Sequence, residues 1–173
     1  MTQESRLDEL PAAQILPEGQ LSGRRVFVDL VRQAFVTAAR EGWPRLVLCD
    51  ADFADWPLGE REVVASLNAW SARGRSLQLL AREYGTLRQM HPRFVQWRVT
   101  WSHLVEAHSC ASASKDDLPS LLWSPAWTLQ RLDAQRGTLV ASRSAERRVA
   151  LQEQVQQWWH KGTPAFPAST LGL

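Results

Sequence analysis

The sequence is poor in several residue types that would point to a specialised class of protein. Its 173 residues include only two cysteines and four histidines, and just two of its 20 basic residues are lysines. Two cysteines cannot build a disulfide-rich scaffold and suit a reducing compartment. No apolar run approaches the roughly 18 residues that a membrane-spanning helix needs. The first 20 residues are acidic without an apolar core, so we predict no secretory signal there and expect a cytoplasmic protein.

What is present is the composition of an ordinary globular domain. Hydrophobic residues make up 45% of the chain and charged residues 22%, and the length suits one domain. The net charge of +2 is too small to indicate nucleic-acid binding by itself. The chain has nine tryptophans. Because each indole N–H needs a partner when it is buried, we expect some of them at an interface or groove.

Strands and helices alternate along most of the chain. Apolar residues recur at helical spacing over 24–41, and a final helix is predicted after the capping residue Ser144. Three strand-like runs precede that helix, the last two joined by a turn at Gly137. Short apolar runs typical of buried parallel strands occur at 45–49, 76–81 and 104–109. This order predicts an α/β fold, a three-layer sandwich with a mixed, mainly parallel sheet flanked by helices.

The two ends of the chain differ from its middle. Residues 1–22 contain two prolines and little periodicity, so we expect a flexible N-terminal segment. The last eleven residues, TPAFPASTLGL, also contain two prolines, and we expect 163–173 to be an extended tail. The part between them, 23–162, is predicted to be a single α/β domain.

The order of these elements resembles that of a known family. The segments that carry the resemblance are the run beginning LVLCDADFADW, the strands SLQLLA and LVEAHS, the three-strand block, and the closing helix with Val155 four residues before Trp159. Together they are similar to a single phospholipase D-like half-domain. The chain also resembles a group of small, mostly proteobacterial proteins of unknown function that have this fold without its catalytic motif.

The resemblance implies a domain without the activity of that family. Phospholipase D chemistry uses a His-x-Lys-x4-Asp motif, in which histidine is the nucleophile and lysine holds the phosphate charge. Residues 115–142, where the motif would lie, contain no histidine. We therefore expect an interaction or structural module with no catalytic residue, metal or cofactor. Because active members join two half-domains about a two-fold axis, the resemblance also implies a homodimer. The extended tail could bind a protein partner.

Three aspartates after the first apolar strand form one candidate site. Asp50 and Asp52 resemble the D-x-D motif of haloacid dehalogenase-type phosphatases, and Asp55 lies in the same loop. That resemblance implies a remote alternative function, a Mg²⁺-dependent phosphatase using Asp50 and Asp52. We favour a structural interpretation, in which the aspartates solvate the loop and stabilise the start of the next helix.

A second candidate site combines basic and aromatic residues. Arg88, Arg93 and Arg98 lie close in sequence to Trp97 and Trp101. Such residues can hold phosphates and stack on bases, so the alternative to an interaction module is a protein that binds nucleic acid or a phosphoryl ligand. We favour the simpler interpretation, in which the two tryptophans lie on one helix face and pack in the core.

Overall fold

Eight β-strands form one mixed sheet in residues 2–168, the part of the chain that the computed structural model describes. The strands are β1 (Gly19–Ser22), β2 (Arg45–Cys49), β3 (Ser76–Ala81), β4 (Val105–Ser109), β5 (Ser120–Trp123), β6 (Thr128–Asp133), β7 (Thr138–Ser142) and β8 (Thr163–Pro164). The helices are α1 (Gln3–Asp8), α2 (Arg24–Glu41), α3 (Arg61–Trp70), α4 (Gly85–Met90), α5 (Pro92–Thr100) and α6 (Ala145–Lys161). Within these residues, no helix combines the length and the apolar character needed to cross a bilayer.

The order of strands across the sheet is β1-β7-β6-β5-β2-β3-β4-β8. Strands β2, β3 and β4 are parallel to one another, whereas the other five neighbouring pairs are antiparallel. The sheet is mixed and flanked by helices, as expected, but the expectation of a mainly parallel sheet is wrong. Short turns join β5, β6 and β7, and strands that are joined by a short turn run antiparallel to each other. Both terminal segments then add antiparallel edge strands.

Helices cover the two faces of the sheet unequally. On one face α2, α3 and α5 pack over a large apolar core that includes Phe27, Trp70 and Leu79. On the other face α6 packs Leu151 and Val155 against a smaller cluster. The structure therefore has three layers, and the inner strands β2 and β3 are buried on both sides.

On the side of the sheet that α6 covers, the strands β1, β7 and β6 lie outside the apolar cluster that packs against this helix. Their side chains alternate, with Leu129, Leu139 and Ala141 in the larger core and more polar residues between them. Most residues between the core positions are polar, with Val140 as an apolar exception; the polar ones include Gln20, Ser22, Gln130, Thr138 and Ser142. An apolar face towards the core and a polar face towards solvent is the usual pattern of antiparallel strands.

The N-terminal segment is part of the fold, which corrects the expectation of a flexible stretch over 1–22. It contains α1, and β1 pairs with β7 along four residues. Leu16 is only 2% exposed, and the indole N–H of Trp127 donates to the Pro17 carbonyl oxygen at 2.9 Å. Because these contacts join residues more than 100 positions apart, local sequence patterns did not reveal them. At the other end, residues 169–173 of the expected tail lie outside the described part of the chain.

The tryptophans are more buried than the sequence suggested. Seven of the nine are at most 9% exposed, and only Trp101 and Trp158 are half-buried. Most of the buried indole N–H groups donate to backbone or side-chain acceptors inside the domain. The domain itself supplies these acceptors, so the burial of most tryptophans needs no interface with a partner.

Candidate functional site

A polar cleft of about 850 Å³ lies at the carboxyl end of β2. Its walls are the loop that follows β2, the loop between β4 and β5, and the end of β6. The residues that matter most for its chemistry are Asp50, Asp52, Asp55, Lys115, Asp116, Ser120, Arg131 and Asp133. Ligands of α/β sheets commonly bind outside the carboxyl ends of the strands, so the position and volume of this cleft suit a binding site.

Arg131 lies at the floor of the cleft and is almost completely buried. Its side chain is 6% exposed, and it forms ion pairs with Asp50, at 3.0 Å, and with Asp55. Its Nε donates to the Ser120 hydroxyl at 3.2 Å, and its guanidinium lies 4.4 Å from the centre of the Phe27 ring. Burial alone would lower the pKa of Arg131, but the two carboxylates raise it above its ordinary value. The guanidinium therefore stays charged and fixed in place.

Asp50 has both carboxylate oxygens occupied by donors. Arg131 donates to Oδ1, while Oδ2 accepts the backbone N–H groups of Asp52 and Phe53 at 3.2 and 2.8 Å. The residue is 4% exposed, and Phe53 has a positive φ of 60° at this tight turn. A carboxylate held in this way is poorly placed to attack a phosphate or to ligate a metal ion. Asp50 instead orients the Arg131 guanidinium and stabilises the turn that follows β2.

The other two predicted aspartates divide between two cations. Asp55 shares the Arg131 guanidinium with Asp50, and its side chain is 28% exposed. Asp52 lies 4.0 Å from the Lys115 ammonium, which is 71% exposed and contributes little to stability. The structure therefore brings all three aspartates to the cleft, and Asp52 is the one that pairs with Lys115.

The lining of the cleft is acidic although the whole chain is slightly basic. Six carboxylates and three cations line it, a net charge of −3, whereas the chain carries +2. The lining contains no histidine and no cysteine. Within the described residues, no group of three histidine, cysteine, aspartate or glutamate side chains is arranged to hold a metal ion. This lining can bind by charge and hydrogen bonds, and it lacks a strong nucleophile.

The basic and aromatic residues of the second candidate site do not form one surface. Trp97 is 2% exposed, and its indole N–H donates to the Ser71 hydroxyl at 3.2 Å. Trp101 is half-buried against Asn68, and Arg93 donates to the carbonyl oxygen of Gly59. The interpretation of Trp97 as a core residue fits this position. A ring in the core cannot stack on a nucleic-acid base.

The remaining two arginines of that set contact the C-terminal segment instead. The guanidinium of Arg88 lies 4.6 Å from the centre of the Phe166 ring, and that of Arg98 lies 5.8 Å from it. Phe166 is 3% exposed and stacks on Tyr84 at 5.0 Å. Sequence reasoning treated the segment as a tail and missed this contact. The one available signal was a phenylalanine between two prolines.

Arg131 is the main residue of the cleft that sequence reasoning missed. Its signal was a single arginine between Leu129 and Leu132 in a predicted strand, where a charged residue needs a partner if it is buried. The aspartates that would pair with it were noted, but 81 residues separate Arg131 from Asp50. Only the three-dimensional strand order brings β6 beside the loop after β2.

Comparisons with known proteins identify a shared architecture. No family model and no curated protein matches the chain. Among solved structures, the chain is similar to that of TrmBL2, an archaeal chromatin protein described as showing a novel mode of DNA binding. The TM-score is 0.62 at 11% sequence identity, over 91% of this chain and 56% of TrmBL2. The chain thus spans about half the length of TrmBL2, and at this identity the likeness concerns the fold alone.

Proposed function

We propose that this protein is a non-catalytic, phospholipase D-like binding module that holds a small, positively charged polar ligand in the cleft beside β2. One observation carries the proposal: the cleft has the volume of a ligand site, yet its lining is acidic and contains no histidine or cysteine. Binding needs only shape, charge and hydrogen bonds, and these are available. Phosphoester cleavage through a phospholipase D-type intermediate needs a nucleophile that the lining does not supply.

The charges of the cleft favour a cation over a phosphate. Its most buried cation, Arg131, is already neutralised by Asp50 and Asp55. Asp116 is exposed at the rim, and Asp133 is half-exposed there with only a long pair to the exposed Arg136, so both carboxylates can attract an ammonium or guanidinium group.

A phosphate would meet two exposed cations, Arg24 and Lys115, but six carboxylates in the same lining. The alternative of a phosphatase that uses Asp50 and Asp52 is less well supported, because both carboxylate oxygens of Asp50 already accept hydrogen bonds.

Isothermal titration with spermidine and with inorganic phosphate tests the proposal. Spermidine is expected to bind at low ionic strength and more weakly as salt is added, because exposed charges are screened. The variant Asp52→Asn/Asp133→Asn should lose at least several-fold in affinity. The variant Glu153→Gln, at an exposed carboxylate on α6 outside the cleft lining, should bind like the wild type. Phosphate binding without spermidine binding would refute the proposal.

Nucleic-acid binding is the second candidate function, and the likeness to TrmBL2 is the observation that favours it. TrmBL2 is itself described as binding DNA, and this chain carries 20 basic residues. Fluorescence anisotropy with labelled single- and double-stranded DNA at two salt concentrations tests it. Specific phosphate contacts would give binding that weakens steeply between about 50 and 200 mM salt. Binding absent even at the lower concentration would remove this candidate.

A further inference from the structure

Lys115 brings an ammonium group of the chain itself into the cleft. Its Nζ lies 4.0 Å from Oδ2 of Asp52, which belongs to the loop after β2. The sequence contains only two lysines, and the other one, Lys161, lies over the Trp158 ring on α6 and outside the cleft lining. Lys115 is therefore the one ammonium in the lining that residues 2–168 form, and it faces a carboxylate that the proposed ligand would use.

The carboxylate of Asp52 is held in a fixed direction. Its Oδ1 accepts the backbone N–H of Ala54 at 3.0 Å, which leaves Oδ2 towards Lys115. The side chain is 24% exposed, so a small solute can reach it. An ammonium group of a ligand would thus meet the same oxygen that Lys115 already faces. Because two like charges at one oxygen repel each other, the ligand and Lys115 compete for Asp52.

The turn that carries Lys115 allows its side chain to leave the cleft. The backbone N–H of Asp117 donates to the Ser114 carbonyl oxygen at 3.1 Å, and the Asp117 carboxylate accepts the Ser114 N–H at 3.0 Å. Buried residues on either side, Ala113 and Leu118, anchor the turn to the domain. The Lys115 side chain is 71% exposed. It can therefore rotate towards solvent while the loop stays in place.

The pair between Lys115 and Asp52 is weak enough for a ligand to displace. Exposed ion pairs contribute little, because water screens the charges and a long side chain loses freedom when it is held. The other two cations of the lining behave differently. Arg131 is buried between two carboxylates, and the exposed Arg24 forms no ion pair in residues 2–168. Lys115 alone among the three cations both pairs with a half-open carboxylate and is free to move away.

We propose that Lys115 is a built-in competitor for the cleft, whose ammonium occupies Asp52 in the ligand-free protein and is displaced when a cationic ligand binds. This inference rests on the proposed binding of a small cation. The group that takes the place of the lysine is an alkylammonium end of the ligand. Loss of the Lys115 charge opens Asp52 to the ligand, whereas loss of the Arg24 charge acts only through the general field of the cleft.

Isothermal titration with spermidine tests the competition. Lys115→Gln should bind spermidine about two- to fivefold more tightly than the wild type, as expected from the strength of an exposed ion pair. In the background Asp52→Asn, where the pair is absent, the gain from Lys115→Gln should fall to that of the control Arg24→Gln. The gain from Arg24→Gln should be the same in both backgrounds. An equal gain from Lys115→Gln with and without Asp52 would overturn the inference.

Lysine-selective isotope labelling followed by NMR observes the displacement directly, because the chain has only two lysines. On addition of spermidine, the Cε signal of Lys115 should move towards its position in the variant Asp52→Asn. The signal of Lys161 should stay where it is and serves as the internal control. A Lys115 signal that does not move while spermidine binds would show that the lysine is not displaced.

The outcomes separate this inference from the proposed function. If spermidine binds the wild type but the tests on Lys115 fail, the cleft is a cation site and the competitor is wrong. If spermidine binds neither the wild type nor Lys115→Gln, both proposals are wrong. Binding to Lys115→Gln alone would support both, since the lysine would then block the cleft completely.

Discussion

The indole N–H of Trp70 donates to the carbonyl oxygen of Trp43 at 2.7 Å, across 27 residues of sequence. Trp70 ends α3 and is fully buried, while Trp43 lies in the turn that leads into β2. This bond anchors the end of a helix to the start of the central strand. Trp56 offers a contrast, because its indole N–H is buried and has no partner within the described residues.

A matched pair of tryptophan substitutions measures the value of that bond. Trp70→Phe leaves the Trp43 carbonyl oxygen without its donor, whereas Trp56→Phe removes a buried N–H that makes no bond. Because an unsatisfied buried polar group costs about 1–3 kcal/mol, Trp70→Phe should destabilise the protein by that much more than Trp56→Phe. Urea unfolding followed by circular dichroism checks the difference. Equal losses for the two variants would contradict it.

Substitution of Arg131 should be far more costly than that of an exposed arginine. Arg131→Met leaves Asp50 buried without its charge partner, and breaking such a pair typically costs about 3–5 kcal/mol. Arg136→Met is the control, since its pair with Asp133 is long and its side chain is 86% exposed. That variant should change the free energy of unfolding by less than about 1 kcal/mol. Chemical denaturation of both variants provides the comparison.

A double variant separates the pair from the general loss of a buried side chain. Asp50→Asn combined with Arg131→Met removes both charges of the ion pair. Because the buried carboxylate is then no longer left alone, the loss should be smaller than the sum of the two single losses, by about 0.5–3 kcal/mol. Strict additivity of the three measured values would show that the two side chains are not coupled.

Gly162 should not tolerate a methyl group. A Cβ at this position would lie 2.8 Å from the Ser109 carbonyl oxygen, so β4 or the end of α6 would have to shift. We expect Gly162→Ala to cost about 1–3 kcal/mol, the usual range for overpacking. At Gly85 a new Cβ would meet only the exposed carboxylate of Glu83, and a small shift of that side chain would at most weaken its hydrogen bonds to Thr86. Gly85→Ala should therefore change the midpoint of thermal unfolding much less.

Stability should fall as the pH rises above about 9, and Cys49 should account for part of the fall. Burial raises the pKa of the Cys49 thiol well above its ordinary value of 9.0, so the folded protein keeps a proton that the unfolded chain loses. Between these two pKa values, one such group lowers the free energy of unfolding by about 1.4 kcal/mol per pH unit. The stability it contributes is fully present below pH 9.

Denaturation at pH 8, 9 and 10 measures this contribution. The variant Cys49→Ala should show a shallower decline over that interval than the wild type, whatever its absolute stability. Tyr84, whose pKa burial also raises, should dominate at higher pH and remains in both proteins. Parallel declines for wild type and variant would argue against a buried, protonated thiol.

Elements with strong local patterns could be predicted from the sequence. Helix α2 lies at Arg24–Glu41 and strand β2 at Arg45–Cys49, as their apolar spacing indicated. Strand β1 could not be found in this way, because four residues of mixed polarity form a strand only through pairing with β7, more than 100 residues away. The excess of antiparallel pairs followed from such distant contacts.

The candidate site was predictable only in part, because some of its residues follow a local pattern and others come from distant parts of the chain. Asp50, Asp52 and Asp55 were identified because they follow a buried strand, and all three line the cleft. Their partner Arg131 comes from the other end of the chain. The set of Arg88 and Arg98 with Trp97 was misleading, because sequence spacing placed on one surface residues that the fold divides between the core and the contacts around the Phe166 ring.

The two outermost strands, β1 and β8, come from opposite ends of the described chain, so each terminal segment shields one edge of the sheet. Shortened versions lacking either segment would leave β7 or β4 with a row of unsatisfied backbone amides and carbonyls. Such rows are templates for pairing between molecules. Trimming at either end should therefore favour insoluble, fibre-like association even where the remaining core stays folded. A solubility tag should be fused beyond the terminal segments and should not replace either of them.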